Sequence, residues 1–250
     1  MIGKKLLDNT GIYIMWNNLY TREVQHDRYP MFENIFGDIG DSKVLDYGGN
    51  TANLLFFSEG KIKEENYTCI DLDKEALRIG KEDFPKAEFL KFNRYNWAYN
   101  HDGDYHADYP ILRNGSVDYI FSYSVFSHSD FLDLIVTLQW MKTLDPKKIA
   151  ISIITTEDKV LTDWFWRRRV QEYGECVDFR PDIANCTSTF SLFDNNFVVT
   201  GQTALQEYDS RHIITIYNPD WLVEHLAIEG FHARIERPRG SFASFVVIDQ

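Results

Sequence analysis

Residues 43–50, KVLDYGGN, set a short apolar strand directly against a glycine turn. Val44, Leu45 and Tyr47 are strand formers, and Gly48-Gly49 ends the strand where the chain must turn sharply. The pattern then repeats. A helix-like stretch at 52–58 stops at Gly60, and 66–71 (NYTCID) reads as a second strand. Residues 73–81 form a helix with Asp73 as N-cap, and 87–92 (AEFLKF) a third strand. A polar, aromatic loop spans 93–116 before a fourth strand at 117–122 (VDYIFS). The helix expected at 130–143 puts Phe131, Leu134, Ile135, Leu138 and Met141 on one face, and 148–154 (KIAISII) is a fifth, almost wholly apolar strand. Apolar strands alternating with helices require a mainly parallel sheet covered on both faces.

The flanks are less regular. Residues 12–39 carry Ile12, Met15, Trp16, Leu19 and Tyr20 at helical spacing, with a break expected near Tyr29-Pro30 and Pro30 opening a second short helix. Beyond Thr155, 157–173 suits a helix bearing Trp164, Trp166 and Arg167-Arg168-Arg169, and 188–200 a hairpin turning at Asp194-Asn195-Asn196. A helix at 219–229 ends at Gly230, and strands at 231–237 and 241–248 close the chain. The expected organisation is an N-terminal helical cap, 1–40, and one domain, 41–250, with an insertion at about 155–210.

Composition narrows the function. The 250 residues carry 38 acidic and 26 basic side chains, a formal charge of −12, which disfavours a nucleic-acid binder. Cys69, Cys176 and Cys186 form no CxxC pair and are odd in number, so a disulfide framework is not expected. The first nine residues lack a signal-peptide core, and no apolar run approaches a membrane span. A cytoplasmic protein, monomeric or homodimeric, working on a small molecule is the expectation.

Three successive strand ends offer complementary chemistry. The turn after the first strand lets a ligand approach backbone N–H groups. Asp71, ending the second strand, is a carboxylate that accepts both hydroxyls of a ribose. Asn93, after the third, presents an amide to an adenine edge. Together they indicate an adenosine-containing cofactor.

At these residues the sequence resembles the class I S-adenosylmethionine-dependent methyltransferases. Their first motif is a strand ending in Asp-x-Gly-x-Gly-x-Gly; here Asp46-Tyr47-Gly48-Gly49-Asn50-Thr51-Ala52 has Asn50 and Ala52 at the second and third glycine positions. Asp71 in CIDLD matches the family's ribose-binding acid, Asn93 its adenine reader, and 117–130 (VDYIFSYSVFSHSD) the fourth motif, which lines the methyl-transfer site. The resemblance implies a doubly wound, Rossmann-like α/β fold whose seven-stranded sheet is mainly parallel with a reversed last strand. It also implies S-adenosylmethionine as cofactor and S-adenosylhomocysteine as product, held by Asp46, Gly48, Gly49, Asn50, Asp71, Leu72, Asn93, Arg94, Ser122 and Tyr123. A dinucleotide fits less well, because the third glycine of its pyrophosphate-binding fingerprint is missing. Asp46 suits the ammonium of the cofactor's amino-acid end.

On the acceptor side, a hydroxyl nucleophile benefits from a base, and His128 after the fourth strand is the candidate. Tyr13, Trp16, Tyr20, Ser124, Arg180 and His212 are candidate acceptor contacts. The cluster His101, Asp102, Asp104, His106 and Asp108 reads as a solvated loop rather than a metal site. The expected activity is O-methylation of a polar small molecule. Methylation of a small amine and a non-catalytic cofactor-binding module are the alternatives.

Overall fold

A computed structural model describes residues 28–96, 100–112, 117–129, 131–155, 157–158, 196–199, 214–239, 241 and 243–250. Strands β1 (Val44–Tyr47), β2 (Tyr67–Asp71), β3 (Glu88–Lys91), β4 (Tyr119–Ser122) and β5 (Lys148–Thr155) form a parallel sheet in the order β3-β2-β1-β4-β5. Two later strands, β8 (Ala233–Glu236) and β9 (Ser244–Asp249), complete the expected seven. β9 runs antiparallel to β5 from Lys148 to Ile153, and β8 antiparallel to β9. The reversed last strand is present.

Two more strands lie between β5 and β8 in the chain. β6 (Asn196–Val199) pairs antiparallel with β7 (Ile214–Tyr217), which joins the last two residues of β5 in parallel. Of the hairpin expected at 188–200, only 196–199 are described, and there Asn196 is a strand residue opposite Tyr217; the rest of that hairpin lies outside the described residues. Val198 and Val199 favour a strand whose partner comes later in the chain, Thr215 and Ile214.

Period-two alternation splits the core between two faces. Leu45 and Tyr47 point to one side, with Ile70, Ile120, Ile149 and Ile151, and are covered by helices α4 (Phe131–Thr143) and α5 (Pro219–Ile228). Val44 points to the other, with Tyr67, Cys69, Phe121 and Val247, under α1 (Arg28–Phe36), α2 (Asn53–Phe57) and α3 (Lys74–Asp83). Phe32 of α1 sets its ring edge-on to Phe121 at 5.6 Å. The second short helix expected from Pro30 is α1, which starts at Arg28 and holds Tyr29 and Pro30 in its first turn; the helix expected ahead of it, from residue 12, lies outside the described residues. Proline is tolerated in a first helical turn, where the missing N–H costs nothing.

Local signals fix the helix ends. Asp73 accepts N–H bonds from Glu75 and Ala76, as an N-cap does, and Asn218 does the same for Asp220 and Trp221 ahead of Pro219. Gly230 takes φ 83° after α5, and Phe231 N–H returns to Leu226 O at 2.8 Å. Among the described residues, no helix is long and apolar enough to cross a membrane.

Candidate cofactor site

The C-terminal ends of β1, β2 and β4 converge, and the turn after β1 occupies the centre. Gly48 has φ 78° and donates its N–H to Ile70 O at 2.7 Å, which fastens the turn to β2. A Cβ on Gly48 would lie 2.1 Å from Val125 Cγ2, and one on Gly49 2.7 Å from Cys69 Sγ. Neither position has room for a side chain. Asn50 and Ala52, where the family pattern has glycine, both take left-handed backbone, φ 54° and φ 61°. The turn therefore keeps the glycine conformation without the glycines. Asn50 tolerates it because its own Oδ1 accepts Thr51 N–H at 2.8 Å.

Asp71 is held by the backbone on both sides. Oδ2 accepts Asn50 N–H at 2.8 Å and Oδ1 accepts Asp73 N–H at 2.9 Å. A carboxylate has about four acceptor positions, so roughly two remain for a diol. Burial raises the Asp71 pKa, while the two backbone bonds oppose the rise.

Asp46 is fully buried on the α1 side of the sheet. Its Oδ2 accepts Tyr67 O–H at 2.5 Å, and Oδ1 has no partner among the described residues. Burial pushes its pKa up to about 6, against the Arg28 charge and the Tyr67 hydrogen bond.

Arg28 escaped the sequence reading. It is 4% exposed, with Nε and Nη1 lacking partners among the described residues, and its guanidinium lies 5.2 Å from the Tyr123 ring centroid. Its positive charge acts on Asp46, Tyr67, Cys69 and Asp71. The signal was present in the sequence: Arg28 shares the buried helical face of Phe32 and Ile35, at spacings of four and seven.

The remaining expected residues are distributed as follows. Leu72 is partly buried against the core, and Asn93 leaves its side chain exposed while its carbonyl accepts Asp104 N–H at 2.8 Å. Arg94 turns to an ion pair with Asp133 of α4. Ser122 is buried, and Tyr123 stacks on Phe121 and Phe245. Ser124, at φ 61°, donates its N–H to Ser152 Oγ at 2.6 Å. Phe126–His128 form one 3-10 turn; the His128 backbone is placed there, and its side chain lies outside the described residues. Tyr13, Trp16, Tyr20, Arg180 and His212 also lie outside them. In the 100–112 loop, His106 N–H is taken up by Asp104 Oδ1 at 2.8 Å. Among the described residues, no three His, Cys, Asp or Glu side chains converge as metal ligands would.

The donors present suit S-adenosylmethionine. Asp71 is set for a diol, the glycine turn excludes side chains, and Arg28 and Asp46 hold unpartnered buried atoms of opposite charge. With both carboxylates ionised, these three charged groups sum to −1, opposite to a cofactor carrying a sulfonium and a zwitterionic amino acid.

Comparison with known proteins agrees. A family model described as a methyltransferase domain matches residues 45–146. Among solved structures, the PH0226 protein from Pyrococcus horikoshii OT3 is 13% identical over 94% of each chain, with a TM-score of 0.53. The mitomycin 7-O-methyltransferase MmcR is 13% identical over 91% of this chain and 54% of its own, with a TM-score of 0.51. The Synechocystis PCC 6803 magnesium protoporphyrin IX methyltransferase ChlM, with bound SAM, is 8% identical over 99% of this chain and 100% of its own, at 0.50. At such identities the likeness is one of fold. No curated protein matches the chain. Residues 45–146 thus match a methyltransferase domain, and the sheet order with its reversed last strand is similar to that of the class I S-adenosylmethionine-dependent methyltransferases.

Proposed function

We propose that the protein transfers a methyl group to a hydroxyl of a polar small molecule: a sugar, a nucleotide-linked glycan precursor or another metabolite. One observation carries this reading. Val125 packs on Gly48, so the segment leading into the Phe126–His128 turn lies against the glycine turn. That supports assigning the base for the acceptor's proton to this segment.

S-adenosylmethionine supplies an electrophilic methyl group on sulfur. The protein's part is alignment, because an in-line displacement gains most from holding the acceptor at reacting distance. Asp71 fixes the ribose, the glycine turn admits the amino-acid end, and His128 is assigned as the base for the acceptor hydroxyl. Ser124, with Tyr13, Trp16, Tyr20, Arg180 and His212, is assigned to the acceptor. The left-handed Asn50 and Ala52 support a working turn over a degenerate one. The charge of −12 supports a small-molecule acceptor over nucleic acid or an anionic membrane surface, in a cytoplasmic monomer or homodimer with a helical cap at 1–40.

The test is S-adenosylhomocysteine release from S-adenosylmethionine across matched panels of polyols, sugars, nucleotide sugars and small amines. Turnover confined to hydroxyl acceptors supports the proposal. Turnover confined to amines overturns it in favour of N-methylation.

A further inference from the structure

The end of β5 carries a second charged assembly, apart from the residues assigned to the cofactor. Thr155, the last residue of β5, accepts Asp158 N–H at its carbonyl at 3.0 Å. The Asp158 side chain is 1% exposed. Its Oδ2 accepts Thr155 N–H at 2.6 Å and Thr155 Oγ1–H at 2.8 Å, and its Oδ1 accepts Arg237 Nη2–H at 2.5 Å and Ser244 Oγ–H at 3.2 Å. A carboxylate has about four acceptor positions, so this one is saturated. Arg237, directly after β8, is not. Its Nη2 also reaches Ser244 Oγ at 3.4 Å, but Nε and Nη1 make no hydrogen bond among the described residues, and the side chain is 43% exposed. Arg78 and Arg234, by contrast, each divide the guanidinium between two carboxylates. Arg237 is anchored through Nη2 to a buried acid and open at Nε and Nη1.

This assembly and the Phe126–His128 turn share one face of the sheet. The turn lies against β5 and β7, and Phe126 packs in the same core cluster as Ile153 and Tyr217. Thr155 follows Ile153 by two residues, on that same face, and Ser244 pairs with Ile153. Open α/β sheets bind ligands outside the carboxyl ends of their parallel strands, and the end of β5 is such a place. We propose that Arg237 is a specificity determinant for the acceptor: its Nε and Nη1 bind an oxyanion, a phosphate or a carboxylate, at the end of β5 while the acceptor hydroxyl meets the segment assigned to the base. The buried Asp158 carboxylate fixes the guanidinium in advance, so less ordering cost falls on binding. The acceptor class is then an anionic hydroxyl compound, such as a sugar phosphate or a sugar acid, over a neutral polyol. This rests on the methyl transfer to a hydroxyl proposed above.

The test has two arms. In the first, calorimetry at fixed ionic strength follows the binding of inorganic phosphate and, separately, of acetate to the chain with S-adenosylhomocysteine added. The wild type should bind one or both, and the tighter of them assigns the oxyanion. Arg237→Gln should weaken that binding by about tenfold or more, as expected for a lost hydrogen bond from a charged group. If Arg237→Gln does not fold, Arg237→Lys, which keeps the charge beside Asp158 but removes Nε and Nη1, should weaken it by about threefold or more. Binding of neither ion by the wild type, or unchanged affinity in the variant that folds, overturns the proposal. In the second arm, glucose 6-phosphate and glucuronate join glucose in the acceptor panel, read by S-adenosylhomocysteine release. Arg237→Gln should raise KM about tenfold more for charged acceptors than for neutral ones. An equal rise for both reduces Arg237 to a structural ion pair and overturns the proposal. Methyl transfer confined to amines, with ion binding still lost in Arg237→Gln, refutes the hydroxyl reading instead and leaves the oxyanion site standing.

Discussion

Asn50 donates its backbone N–H to Oδ2 of Asp71 at 2.8 Å, so the turn after β1 and the acid ending β2 form one unit. The bond places a carboxylate beside the turn in a fixed rotamer. It also means that Asp71 cannot be altered without disturbing the turn. Asp71→Ala leaves the Asn50 and Asp73 N–H groups without their acceptor, at about 1–3 kcal/mol for each group left unsatisfied. The variant should show a lower melting temperature and more than about tenfold weaker S-adenosylhomocysteine binding, one hydrogen-bonded diol being worth at least that. Asp71→Asn, which keeps an acceptor oxygen, should recover part of the stability. Unchanged affinity in Asp71→Ala would remove Asp71 from the site.

The left-handed backbone at Ala52 gives a comparison within one protein. Ala52 and Ala76 are both fully buried, but Ala52 has φ 61° whereas Ala76 is inside α3. Replacing either with glycine loses one buried methyl group. Only at position 52 does it relieve a conformation costing an L-residue roughly 1–2 kcal/mol. In chemical denaturation, Ala52→Gly should therefore be more stable than Ala76→Gly by about that amount. Equal losses would show that the turn relaxes around Ala52 without strain.

Asp46 makes stability and donor binding respond oppositely to pH. Its pKa in the folded protein is raised from 3.8 to about 6, so the folded chain holds a proton that the unfolded chain has released. That contribution is complete below about pH 4 and lost as pH rises through about 6, a change of roughly 3 kcal/mol at most. Asp46→Asn removes it. The stability of Asp46→Asn relative to wild type, each without ligand, should rise between pH 4 and pH 7. Donor affinity of the wild type should rise over the same interval, as Asp46 becomes the carboxylate that an ammonium requires. A stability difference independent of pH would show that Asp46 stays ionised in the fold.

His128→Ala separates chemistry from binding. With a hydroxyl acceptor the variant should lose about 10²–10⁴-fold in turnover, the usual range for a general base. S-adenosylhomocysteine affinity should stay within about twofold, since no donor contact is removed. Turnover retained with the true acceptor would exclude His128 as the base.

Much of the fold was legible because each signal was local and physically forced. The apolar run at Val44-Leu45, the cap at Asp73 and the stop at Gly230 each fix one element from its own residues. The donor site was legible in part for the same reason, since Asp46, Asp71 and the glycine turn are close in sequence to the strands that carry them. What escaped depends on distance along the chain. β6 finds its partner at Ile214–Tyr217, and no short-range pattern announces such a pairing. Arg28 is buried because α1 packs across the sheet, a tertiary placement that its sequence neighbours, Tyr29-Pro30, do not announce. Asn93 and Arg94 were placed by position alone. In the structure Arg94 turns to Asp133, a partner 39 residues away.

The most direct test of the account is a thermal-shift titration of the wild-type chain with S-adenosylhomocysteine, with NAD run in parallel. At about 100 times its Kd, a ligand specific for the folded state adds about 2.7 kcal/mol. For a domain of this size, that corresponds to a rise of roughly 5–11 °C. The account predicts this rise with S-adenosylhomocysteine, none with NAD, and a rise about half as large or less in Asp71→Ala at the same ligand concentration. No shift with S-adenosylhomocysteine, or an equal shift with NAD, would contradict it.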